Sequence, residues 1–210
     1  MDLSGFSNLL YEQLKQVDAI QGVVLIFGVT EVLLARSNNI LLYPAGIIAT
    51  TFSVYSLFHA ELYAESLLNF YYIIMSIYGW WYWTRKKGDP PVKVGFASQR
   101  EWGIAILICI TVWLVLYVIL VNFTPSTVPL WDAWISATAW AGMWLLARRK
   151  VENWILLNIS NAFAIPLLFH KELPLFGVLT MFLFVVACKG YFDWLKICRE
   201  EKAHAIPLEN

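Results

Sequence analysis

Charge is what this chain has least of. Only 14% of its 210 residues are Asp, Glu, Lys or Arg, where a soluble domain carries about 25%. The formal net charge is +0, which by itself is uninformative; where the charges sit is not. Cysteine is scarce too. Cys109, Cys188 and Cys198 lack the spacing of a metal site, and two of them lie inside apolar runs, so all three read as inert thiols. Enzyme signatures are missing: there is no HExxH, no GxSxG, no Walker-type glycine loop and no cleft-lining carboxylate pair. No segment between apolar runs is long enough to be a catalytic domain. The expectation is therefore no catalytic residue, no metal, no cofactor and no nucleic-acid partner. The first apolar run follows an acidic, polar start, which is not the basic start of a cleavable signal peptide.

What the chain has is apolar residues, at 60% of its length and a mean hydropathy of +0.62. That composition predicts an all-α membrane protein whose solvent is the lipid bilayer. Seven runs, at 17–35, 40–58, 62–83, 102–121, 128–147, 151–169 and 173–195, each approach the ~20 residues needed to cross the hydrocarbon core. Before them, Phe6, Leu9, Leu10, Leu14 and Val17 recur at spacings of three and four and predict an amphipathic helix lying at the membrane surface. With the N-terminus outside and the C-terminus inside, 13 of the 15 basic residues fall on the inner side, as the positive-inside rule asks. Only Lys15 and Lys171 fall outside.

The chain also repeats itself. Phe58, His59, Glu61, Leu62, Gly79 and Trp83 meet identical residues 111 positions later, in the segment Phe169–Trp194. LLAR at Leu33–Arg36 recurs at Leu145–Arg148 with an offset of 112, which one inserted residue reconciles with the first echo. The organisation expected is an N-terminal amphipathic segment (1–16), a three-helix repeat (17–83), a basic loop with a linker helix (84–127), a second three-helix repeat (128–195) and a tail (196–210). Four crossings separate equivalent runs, so the two halves share one orientation. Parallel repeats of this kind are a transporter architecture with the ligand near the midplane.

Polar residues inside such runs are costly and point to the pathway. Trp154, Asn158 and Asn161 are four and three apart, hence on one helical face; their amides suit ribose hydroxyls or a carboxamide, with helix-to-helix bonding as the alternative. Asn69, Tyr72, Ser76, Trp80 and Trp83 form a second stripe. Their counterparts Thr180, Leu183, Ala187, Tyr191 and Trp194 are greasier, and Asn158 and Asn161 map onto Ile47 and Thr50. Each half thus supplies one polar helix, which argues for a single asymmetric site. Trp81 and Trp83 are expected in the interfacial aromatic belt, Trp80 less so. Glu31 is the deepest carboxylate: a proton relay, a counter-ion to a cationic substrate, or a hydrated group near the inner surface. Asp132 and Asp193 read as interfacial, His59 and His170 as structural.

The segment LYAESLLNFYYIIMSIYGWWYW (62–83), Trp131–Asp132, KVENW (150–154) with Asn161, and Gly190 with Trp194 together resemble the Pnu vitamin transporter family. The resemblance covers nearly the whole chain. It implies a three-plus-one-plus-three helix arrangement like that of the SWEET sugar transporters, in a homotrimer with a path through each protomer. It further implies facilitated diffusion of nicotinamide riboside across a bacterial inner membrane, with a cytoplasmic kinase trapping the vitamin for NAD synthesis. Substrate contacts are implied at Asn69, Trp154 and Asn161. Relatives carrying thiamine or riboflavin make a related vitamin the alternative, and a non-transporting small-ligand receptor is the rival of a different class. Where the family has a second Trp this chain has Leu157, which reshapes the pocket.

Overall fold

The computed structural model describes residues 3–59, 63–85 and 93–204, all of its regular structure being helical. The Glu61–Leu62 part of the repeat, Lys86 and Lys87 of the basic loop, and residues 205–210 of the tail lie outside the described residues. Eight helices are described: α1 (Leu3–Gln16), α2 (Ala19–Arg36), α3 (Leu42–His59), α4 (Tyr63–Thr84), α5 (Gln99–Phe123), α6 (Pro129–Ala147), α7 (Asn153–His170) and α8 (Pro174–His204). The amphipathic segment and the seven apolar runs each coincide with one of them to within a few residues, except at the C-terminus. There α8 runs on to His204, through much of the expected tail. By length and composition alone, three helices are apolar enough to cross a membrane, within Ala19–Arg36, Gln99–Phe123 and Pro174–Glu200. Of the other described helices, α1 has only 14 residues, and α3, α4, α6 and α7 are diluted by Trp, Tyr, Ser, Thr and Asn.

Local chemistry sets the helix ends. Asp18 caps α2 by accepting the Gln21 N–H at 2.7 Å. Ser98 and Glu101 close a full capping box on α5, and Pro129 opens α6 where its missing N–H costs nothing.

The helices pack as a ring. α2 meets α3, α3 meets α4, α4 meets α6, α6 meets α7, α7 meets α8, and α8 returns to α2. α5 lies outside the ring against α6, and α1 lies outside against α8. Gln13 pins α1 there, donating to the Glu172 carbonyl at 2.8 Å and accepting the Leu175 N–H at 3.1 Å.

The turn ending α2 and the turn ending α6 are built alike. Ser37, Asn38 and Asn39 donate to Leu33, Ala35 and Leu34; Arg148, Arg149 and Lys150 donate to Trp144, Leu146 and Leu145. Every one of these pairs is 111 residues apart. Asn38 and Arg149 occupy the left-handed region at φ 52° and 62°, which ends the helix in both places. No inserted residue is therefore needed to join this turn to the later echo, and the LLAR match at 112 lies one residue out of the backbone register.

Basic residues gather at the end of the ring that carries these turns. Arg36 pairs with Asp193 at 2.6 Å, and Glu101 with Lys150 at 3.1 Å. Residues 93–98 form a strap over the α6–α7 turn. Gly95 N–H donates to the Arg149 carbonyl (3.2 Å), Val151 N–H donates to the Gly95 carbonyl (3.0 Å), and the Ala97 N–H donates to the Glu152 carboxylate at 2.9 Å.

Candidate functional site

Near the basic end, four aromatic rings cross the ring of helices in a row. Tyr43 meets Trp83 edge-on at 5.2 Å, Trp83 meets Trp194 at 6.3 Å, and Trp194 meets Trp154 edge-on at 5.7 Å. The outer two rings fit against glycines. A Cβ on Gly79 would overlap the Tyr43 ring, and one on Gly190 would lie 2.7 Å from the Trp154 ring. The inner two rings bond across the halves: Trp83 Nε1 donates to the Ala147 carbonyl (3.1 Å) and Trp194 Nε1 to the Ala35 carbonyl (3.0 Å). With Leu42, Leu146 and Val151, these rings make a buried apolar cluster. The ring of helices is sealed at this level.

On the far side of that seal lies a cavity of about 320 Å³, walled by residues of all six ring helices. Glu31, Val32 and Ala35 come from α2, Thr50 from α3 and Tyr72 from α4. The second half supplies Ala139, Met143 and Leu146 from α6, Trp154, Leu157, Ser160 and Asn161 from α7, and Leu183 and Ala187 from α8. Its volume falls at the low end of the ~300–1,000 Å³ usual for small-molecule sites. The Glu31 carboxylate lies against Gly46, where a Cβ would overlap it. The Trp154 indole N–H is buried without a hydrogen-bond partner among the described residues.

A second cavity of about 580 Å³ lies toward the other end, bounded by Asn69, Tyr72, Trp140, Ile135, Asp132 and Lys171 among others. Tyr72 lines both cavities, so it stands between them. The neighbouring Tyr71 stacks on Trp140 at 3.7 Å and donates to its carbonyl. Asp132 is held in the wall by Lys171 at 2.7 Å and by the Ser126 hydroxyl at 2.6 Å.

The expected site residues divide accordingly. Glu31, Tyr72, Trp154 and Asn161 share the central cavity, and Asn69 lines the second one. Asn158 does not join Trp154 and Asn161. It faces a separate apolar groove between α7 and α8, beside Cys188 and Phe192, where its amide is oriented to donate to the Phe184 carbonyl (3.2 Å) and accept the Cys188 N–H (3.3 Å). Seven residues of helix return a side chain to within about 20° of its starting direction, whereas Asn158 stands roughly 40° from Trp154 and 60° from Asn161. That rotation turns it out of the ring.

Ser76 is fully buried outside the cavity wall, its hydroxyl unpartnered among the described residues. Trp80 and Trp83 exchange their expected places. Trp80 is 41% exposed on the outer surface of α4, beside the 47% exposed Trp81, while Trp83 is 7% exposed, in the seal, under the Arg149 guanidinium. Thr50 and Leu157 are cavity residues that polarity alone did not single out. Thr50 stands 111 positions before Asn161, so the repeat register was the signal that could have found it.

Comparisons with known proteins give the family. The nicotinamide riboside transporters PnuC of Escherichia coli (strain K12) and of Shigella flexneri are each 24% identical over 213 aligned residues, covering 89% of either chain. The crystal structure of the vitamin B3 transporter PnuC superimposes with a TM-score of 0.69, covering 94% of this chain and 90% of that one at 20% identity. The family profile described as nicotinamide mononucleotide transporter matches residues 18–196, and the chain belongs to that family of multi-pass membrane transporters.

Proposed function

We propose that this protein carries nicotinamide riboside across the bacterial inner membrane by facilitated diffusion, delivering it to a cytoplasmic kinase that traps it for NAD synthesis. One observation carries this reading: in a chain of this family, a nucleoside-sized cavity at the meeting of six helices presents the Trp154 indole and the Asn161 amide beside Glu31. An indole in the wall suits a pyridinium ring, and the amide suits a carboxamide or ribose hydroxyl. No Lys, Arg or His is among the described residues lining the cavity, so a nucleotide phosphate finds no cationic partner there. The riboside is therefore favoured over the mononucleotide of the family's description.

The arrangement that goes with this function is a parallel three-plus-one-plus-three set of seven crossings, like that of the SWEET transporters. Its repeats are residues 17–83 and 128–195, joined by 84–127 and flanked by segments 1–16 and 196–210. Recurrence of the same turn bonds and the same aromatic seal at an offset of 111 supports that reading. The basic end is placed in the cytoplasm, N-terminus out and C-terminus in, and the assembly is a homotrimer with one path per protomer.

Labelled riboside added to proteoliposomes tests the function: the expected result is equilibration of the lumen with unchanged riboside and no requirement for an ion gradient. Stoichiometric binding without luminal entry would mean a receptor. Tags at the N-terminus and in the loop 84–101 are expected on opposite faces of the membrane; finding both on the cytoplasmic face would overturn the seven-crossing topology.

A further inference from the structure

Glu31 is the sole charged side chain among the described residues lining the central cavity. No basic side chain forms an ion pair with it among the described residues. A carboxylate inside a membrane helix is costly and persists where something offsets the cost.

Packing does not require it. In the first half, the large side chain on α2 (Glu31) rests against a glycine on α3 (Gly46). The positions 111 residues later are Gly142 on α6 and Leu157 on α7, and they touch with the roles reversed: a Cβ on Gly142 would lie 3.0 Å from the Leu157 side chain. The same helix-to-helix contact is therefore made in one half by an aliphatic side chain and in the other by an acid. What the acid adds is an ionisable carboxyl group in the cavity wall that Trp154 and Asn161 share.

We propose that Glu31 is the specificity-determining residue of the cavity, selecting ligands with a fixed positive charge on an aromatic ring and rejecting neutral or phosphorylated ones. The inference rests on the cavity being the ligand site. A pyridinium in a cavity walled by an indole and a carboxylate is attracted to both. A phosphate in the same space meets like charge without a compensating cation among the described lining residues.

The test is calorimetric binding of three probes to purified protein: nicotinamide riboside, its reduced form with an uncharged dihydropyridine ring, and nicotinamide mononucleotide. Wild type is expected to bind the riboside far more tightly than either of the others. Glu31→Gln keeps the shape and removes the charge, so it is expected to weaken the riboside roughly 10- to 100-fold. The reduced form should shift by less than about threefold, the size of a contact change that carries no charge, and the gap to the mononucleotide should narrow. Glu31→Leu, which copies the aliphatic partner of the second half, is expected to do the same and serves if the Gln variant is lost to misfolding.

Equal losses for the charged and uncharged ribosides, or an unchanged riboside affinity, would overturn the inference while leaving riboside transport standing. If wild type binds none of the three but binds thiamine, the substrate assignment falls instead. Glu31 is then tested on thiamine against its neutral deaza analogue, with the same outcomes deciding. Failure of wild type to bind any of these ligands overturns both.

Discussion

The two halves of the ring match at the seal and part company at the cavity. At the seal, Tyr43, Gly79 and Trp83 are answered by Trp154, Gly190 and Trp194, ring for ring and notch for notch. In the cavity wall, Val32, Thr50 and Tyr72 face Met143, Asn161 and Leu183, and Glu31 answers a glycine. A closure made of two similar halves can be shared evenly between them. A ligand with one charged ring and one sugar has no such symmetry, and its site cannot have it either. The two halves thus correspond closely at the seal, and in the cavity wall their side chains differ.

The largest expected effect breaks both regions at once. Trp154 is 1% exposed, belongs to the seal and lines the cavity. Trp154→Ala is expected to cost about 3–5 kcal/mol of stability and to weaken riboside binding roughly 5- to 50-fold, read by thermal unfolding in detergent and by calorimetry. Next comes the symmetry of the notches. Gly79→Ala and Gly190→Ala each push a Cβ into a buried ring, and each is expected to lower stability by about 1–3 kcal/mol. A marked difference between the two would show that the seal is not shared evenly.

Asn161→Thr makes the second half copy Thr50 of the first. It is expected to weaken the riboside by roughly 5- to 50-fold with little change in stability, because the amide faces the cavity. Smaller still, Trp83→Phe and Trp194→Phe each remove one bond from an indole to a carbonyl, at about 0.5–1.5 kcal/mol apiece, and the two losses should agree. The smallest effect is reserved for residues turned away from the cavity. Asn158→Ala and Trp80→Ala are expected to leave riboside affinity within about twofold, a difference below half a kcal/mol; a tenfold loss in either would move the site into the α7–α8 groove or onto the outer face of α4.

The helices were legible in the sequence because run length and hydropathy are set by the bilayer, and the repeat told which of them correspond. Facing was harder to read. In a membrane helix both lipid and protein accept apolar side chains, so the period that marks a buried face in a soluble protein is muted. Trp80 and Trp83 look alike in the sequence, and only the three-residue rotation between them sends one outward and one into the seal. The repeat carried the missing hint: Trp83 is answered by an identical Trp194, whereas Trp80 is answered by Tyr191. Asn158 shares a coarse helical face with Asn161 because helical spacing resolves a face no more finely than the width of a side chain. Glu31 stood out as an acid in an apolar run, but its partner glycine on the next helix belongs to packing, which spacing does not encode.

The strap at residues 93–98 also bears on the order in which the protein is made. Its anchor points, Arg149, Val151 and Glu152, follow it by about 55 residues, which at ~5–20 residues per second is roughly 3–11 seconds of synthesis. During that interval α5 has its capping box but none of the strap's bonds to the α6–α7 turn. Trp83 waits longer, since its acceptor Ala147 lies 64 positions downstream. The first three ring helices are thus complete in sequence before the groups that close the seal exist, and the Tyr43–Trp83 pair precedes its partners Ala147 and Trp194 in synthesis.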